Sequence, residues 1–198
     1  MSGTWPTSPG PDQVTLEPRA PILLDIAQSG KSQSRTIASK LWAVQLTYPE
    51  LKREQIAPII VFADKQRGDT FQIVLPNFST PMGVATGTPV ADGAQIAGSL
   101  SIDIRGMTAA TTGILKAGDV IKAANHSKVY MVTEDADTDG SGNVTVQIDT
   151  PLTDAVGDGE AITVSNVPFT MRIDGEVQSW RTKSPQLSRY SVELIEAL

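Results

Sequence analysis

Cysteine is absent from this 198-residue chain. Disulfides and thiolate metal centres are thereby excluded, and synthesis in a reducing compartment is allowed. Histidine occurs once, as His126. A Ser-His-Asp or Cys-His arrangement needs a base placed beside a nucleophile. His126 sits between Asn125 and Ser127, a turn composition, so it reads as a solvated turn residue. Neither G-x-x-x-x-G-K-[ST] nor G-x-G-x-x-G occurs, so loops that cradle phosphates are not expected. Acidic residues are many, but no pair can be assigned to glycoside hydrolysis, and those of the middle region fall mainly in turns. No apolar run approaches the ~20 residues of a membrane helix. The start, Met1-Ser2-Gly3-Thr4-Trp5-Pro6, lacks the basic and apolar regions of a signal peptide. The N-x-[ST] triplets at Asn77, Asn125 and Asn143 then read as chance matches. Aromatics make up only 5% of the chain. The expectation is a non-enzymatic protein with no cofactor and no membrane insertion.

What is present suits a folded core. Hydrophobic residues reach 40%, and the length fits one large domain or two small ones. The net charge of −6 argues against nucleic acid as a specific partner. Between Val84 and Ser165 there are 4 basic and 11 acidic residues, while the remainder has 12 and 11. An acidic middle between nearly neutral flanks predicts two surfaces with different roles.

The first ~20 residues are rich in Pro, Gly and Ser, with Pro6, Pro9, Gly10, Pro11, Pro18 and Pro21, and read as an extended arm without regular structure. The arm is either a free tail or a segment that packs on a neighbouring molecule with Trp5 as its anchor. Trp42, Val44, Leu46 and Tyr48 then alternate as a strand with one buried face. Ile56, Ile59, Ile60 and Ala63 follow at helical spacing between Lys52 and Gln66. Gly68 stands where a helix C-terminus favours it, and Pro58 is tolerable if it falls in the first turn. Phe71, Ile73 and Leu75 predict another strand. Ser79 to Gly98 reads as loop. Five short runs come next: Leu100–Ile104, Val120–Ala124, Lys128–Thr133, Val144–Ile148 and Ala161–Val164. Their spacing predicts a small barrel. Val167–Ile173 and Tyr190–Leu194 return to longer strands, and the strand at Trp42 is the natural partner of the latter. The fold class is therefore mainly β with one helix. A discontinuous domain of residues 1–83 plus 166–198 holds an inserted β-barrel domain of residues 84–165.

Two features invite a closer reading. Asp135, Asp137 and Asp139, with Gly140, resemble the first half of an EF-hand loop, but the twelfth position is Val146 and the flanks read as strands. The alternatives are an acidic hairpin turn and a weak cation site. Trp180, beside Arg181 in a polar segment, suits either an interface anchor or a loop folded back on the core.

The order of these pieces resembles the distal tail proteins of long-tailed siphophages. The pieces are Ser39 to Leu51, the helix ending Lys65-Gln66-Arg67-Gly68-Asp69, Lys116-Ala117-Gly118-Asp119, His126-Ser127-Lys128-Val129-Tyr130, and Ser191 to Leu198. The segment Leu115 to Thr133 is the most specific of them. The resemblance covers most of the chain from about residue 35, in the form whose ring domain carries an OB-like insertion. It implies a β-sandwich-like ring domain and a homo-hexameric ring at the distal end of the tail, through whose lumen DNA later passes. The implied partners are the tail tube protein and the baseplate hub protein, with tape-measure and tail-fibre proteins as further candidates. The implied location is the virion tail tip, after synthesis in the host cytoplasm. The alternative is a carbohydrate- or receptor-binding module, since OB-like barrels also bind oligosaccharides.

Overall fold

The structure is a computed structural model that describes residues 3–20, 22–26, 30–36, 39–175, 180–184 and 187–198; of residues 22–24, 26, 34–36 and 180–184 only the backbone is described. The chain is mainly β, with one helix among the described residues. It divides into two compact units. One holds residues 1–5, 69–171 and 197–198; the other holds 6–68 and 172–196.

In the second of these units, β1 (Gln13–Arg19) and β4 (Leu41–Thr47) run antiparallel, with Leu46 opposite Val14. β4 pairs on its other side with β15 (Leu187–Glu196), where Leu46 meets Val192. The expected partnership between an early and a terminal strand is thus present. Trp42, Val44 and Leu46 are buried on one face of β4, while the other face holds exposed Gln45 and buried Ala43. Tyr48 and Tyr190 lie side by side, 6.2 Å between ring centres, and both are fully enclosed. Burial pushes the Tyr190 hydroxyl above its usual range. β2 (Ile22–Ile26) and β3 (Ser32–Thr36) form a hairpin. β5 (Leu51–Lys52) and β14 (Trp180–Ser184) also pair with β15.

α1 (Arg53–Lys65) buries Ile56, Ile59 and Ala63, a stripe at helical spacing. Its start is fixed by the Lys52 N–H, which donates to the Gln55 side chain at 3.2 Å. Pro58 lies in the second turn rather than the first. Both Pro58 and Glu54 are exposed, so the Glu54 carbonyl that loses its donor can meet water. Gly68 adopts φ +87°, as a residue ending a helix often does.

In the other unit, β6 (Phe71–Val74) pairs antiparallel with β13 (Pro168–Ile173), of which Arg172 and Ile173 fall outside the unit. Between them lies a closed barrel. β7 (Gly87–Ala91), β8 (Ser101–Met107) and β11 (Val144–Gln147) make one sheet, in the order β11-β8-β7. β9 (Val120–Ala123), β10 (Tyr130–Met131) and β12 (Ile162–Thr163) make another, in the order β10-β9-β12. Bridges at Val132–Ile148 and Val90–Ala161 join the two sheets on both sides, so they curl into one ring of strands. Ile102, Ile104, Ile121, Tyr130, Val146 and Ile162 fill its interior.

Two expectations are corrected. The arm is not unstructured throughout: Gln13–Arg19 is β1. Val14 and Leu16 do alternate there, but the prolines mask the signal. Pro18 is tolerated because β1 is an edge strand. Ser79 to Gly98 is not all loop, since it contains β7. Gly87 and Pro89 sit at a register shift against β8, where a bulge needs such residues. Gly87 (φ +113°) and Gly106 (φ +83°) meet there so closely that a Cβ on either would lie 2.5–2.6 Å from a backbone oxygen.

Candidate functional site

The N-terminal residues dock as a strand. Gln72 N–H donates to Gly3 O at 3.0 Å, and Trp5 N–H donates to Gln72 O at 2.8 Å. Thr4 and Gln72 form a parallel bridge on the outer edge of β6. Trp5 is only 4% exposed and its ring lies 5.2 Å from that of Phe71. Trp5 therefore packs against β6 of its own chain. Trp180 and Arg181 are the first residues of β14; their side chains lie outside the described residues.

The chain enters and leaves the barrel side by side. Ser79 ties the two crossings together. Its Oγ accepts from Leu75 N–H at 2.9 Å and donates to Val167 O at 2.8 Å, while Val167 N–H donates to Ser79 O at 3.2 Å. Asp119 holds the incoming chain: its buried carboxylate accepts from the N–H groups of Met82 (2.6 Å), Gly83 (3.2 Å) and Lys116 (2.8 Å). Lys122 holds the outgoing strand. Its Nζ donates to Pro168 O at 3.0 Å and Thr170 Oγ1 at 2.9 Å. A buried ammonium is tolerable only with partners of this kind. These three residues escaped sequence reasoning. Asp119 stood inside the Lys116–Asp119 motif, but nothing in the motif says whose amides it caps.

The motif His126 to Tyr130 has a similar explanation, and it corrects another expectation. His126 is not solvated; it is 4% exposed. Its Nδ1 lies 2.8 Å from the Tyr130 hydroxyl, which also accepts from Thr153 N–H at 3.0 Å. Its Nε2 is buried without a hydrogen-bond partner among the described residues. Burial lowers its pKa below the usual value. The Asp154 and Glu160 charges and the Ala155 and Asp154 carbonyls oppose this without offsetting it. The neutral imidazole is the form that the fold favours. Its side-chain hydrogen-bond partner among the described residues is the Tyr130 phenol, itself fully buried, and not a nucleophile placed for catalysis.

The three acidic-turn carboxylates do not converge. Asp135 pairs with Lys116 Nζ at 2.8 Å and accepts from Ala117 N–H at 2.9 Å. Asp137 accepts from Gly113 N–H at 2.6 Å. Asp139 accepts from the N–H groups of Ser141 and Asn143, both at 2.8 Å. Each caps a different piece of backbone. The Lys116 bond holds Asp135 below the usual carboxylate range, and the amides of the turn do the same for Asp139. Asp137 and Asp139 border an open groove of about 330 Å³ with Asp92 and Asp103. No group of three or more ligating side chains that could hold a metal occurs among the described residues. No described helix is long and apolar enough to cross a membrane.

Comparison with known proteins bears directly on this geometry. Residues 77–167, which span both barrel crossings, match the family described as Distal tail protein pb9, B domain. The chain is also similar to the Distal tail protein pb9 of Escherichia phage T5, with 29% identity over 143 residues. That alignment covers 68% of this chain and 65% of the relative, so it spans just under two thirds of the relative's length.

Proposed function

We propose that the chain is a homologue of the siphophage distal tail proteins, virion components of the phage tail, and that it forms a hexameric ring at the distal end of the tail, joining tail tube to baseplate hub. The observation that carries the reading is the family match over residues 77–167. Supporting it is the pairing of β4 with β15, which brings early and late segments of the chain into one sheet. In this reading residues 1–83 plus 166–198 are the ring-forming domain, and 84–165 are the inserted OB-like barrel that faces outward. The role is structural and needs no catalysis. Ring closure takes a head-to-tail interface. Near-neutral charge on the ring domain limits repulsion between six copies, and the acidic insertion stays solvated. The tail tube protein and the hub protein are the direct partners, with tape-measure and tail-fibre proteins as further ones.

Light scattering and negative-stain microscopy of the purified chain test this. Six-fold rings are expected at high concentration. A strict monomer at every concentration overturns the reading. The carbohydrate-binding alternative has no support of its own, because Tyr130, the single aromatic of residues 84–165, is fully buried and cannot stack on a sugar.

A further inference from the structure

The arm Gly3–Trp5 is a short strand added at an edge. It is held by the edge of one short strand, through the bonds to Gln72 and the packing of Trp5 on Phe71. Pro6 to Pro11 follow it: three of these residues are proline, Gly10 is among them, and Thr7, Ser8 and Gly10 are exposed. No strand is formed until β1 begins at Gln13. Fully extended, six residues of such a tether would reach roughly 19 Å at ~3.1 Å each; here the segment bends at Ser8 and Pro9. Addition to a strand edge reads backbone groups plus an occasional side-chain pocket. An identical arm from another copy therefore satisfies the same edge equally well, with every contact kept.

We propose that in the assembled ring the arm is exchanged: Gly3–Trp5 of each copy adds to β6 of the next, with Trp5 on the neighbour's Phe71. This rests on the ring reading and gives that ring a head-to-tail link. In a closed ring each copy gives one arm and receives one, so every β6 edge is covered. In the isolated chain the arm folds back on its own β6, and in a ring the β6 of the next copy offers the same edge at high effective concentration.

The absence of cysteine makes the test clean. Thr4→Cys and Gln72→Cys place thiols on bridge partners, one exposed and one half-buried, so neither disturbs the core. The double variant is assembled, sized by light scattering, bridged by oxidation or a short bis-maleimide, and run on a denaturing gel. Exchange predicts rings whose chains run mostly as covalent ladders up to six. A mixture of the two single variants then gives a covalent dimer. Rings whose chains cross-link only within themselves, or not at all, overturn the exchange and leave the ring standing. A sample that never forms rings overturns the ring reading, and the exchange falls with it.

Discussion

The barrel and the strands outside it finish their edges in opposite ways. β7 to β12 close on themselves through the Val132–Ile148 and Val90–Ala161 bridges, so no barrel strand presents a free row of backbone groups. Outside the barrel, β6 pairs with β13 on one side, and among the described residues its other edge is covered by Gly3–Trp5. β1 pairs with β4 alone among the described residues. An uncovered edge is a template for another chain. β1 carries Pro18 between Glu17 and Arg19, a composition that blunts pairing at that end. The capacity for strand-to-strand assembly therefore lies outside the barrel, and the sealed barrel is suited to a role that does not depend on backbone pairing.

The largest effect expected from breaking this contrast is at the covered edge. Trp5→Ala removes a ring that is 4% exposed. Burial losses of this kind cost about 3–5 kcal/mol. Chemical denaturation should report a drop of that order, and a loss under about 1 kcal/mol would mean that the arm does not hold β6. At the sealed barrel the matching test is Gly142, with φ +82° and an added Cβ only 2.2 Å from Met107 O. Gly142→Ala should cost about 2–3 kcal/mol through strain. Gly140→Ala, which meets nothing within 4 Å, should leave the melting temperature almost unchanged.

The junction ranks next. Asp119→Ala leaves the N–H groups of Met82, Gly83 and Lys116 without their acceptor. A loss of about 2 kcal/mol is expected, since hydrogen bonds to a charged group are worth ~1.5–3 kcal/mol. If Asp119→Asn recovers most of it, geometry rather than charge holds the incoming chain.

How much of this could be read from the sequence follows from the range of each interaction. The alternation at Trp42–Tyr48, the helical stripe Ile56–Ala63 and the barrel strands were legible because a period of 2 or 3.6 is local. β1 and β7 were hidden because proline and glycine, read as breakers, are tolerated at an edge and at a bulge. Ser79 and Lys122 were invisible for another reason: their partners, Val167 and Pro168, lie 88 and 46 positions away. The burial of His126 was invisible in the same way, because Thr153 and its neighbours, which help to enclose the Tyr130 hydroxyl, come from a distant loop.

His126 supplies a smaller, pH-dependent effect. Its folded pKa is depressed below 6.5, so the folded chain takes up its proton less readily than the unfolded chain. The stability it contributes is complete above the unfolded value and is lost as pH falls from there through the folded value. Melting temperature should decline as pH falls below about 6.5, and His126→Gln should flatten that decline. An unchanged slope in the variant would assign the pH response to other groups.

The smallest effect is expected at the acidic turn. The sequence of Asp135, Asp137 and Asp139 has the spacing of a calcium loop, yet each carboxylate is already used. Lys116 neutralises the first, Gly113 N–H occupies the second, and the amides of Ser141 and Asn143 occupy the third. A cation would have to displace these bonds and would still lack the bidentate twelfth ligand, because Val146 faces the barrel core. Millimolar Ca²⁺ should therefore give neither heat on titration nor a rise in melting temperature, and Asp137→Asn should behave as the parent does in both. A saturable heat abolished by Asp137→Asn would show that the turn opens to bind, and the barrel would then not be sealed at this point.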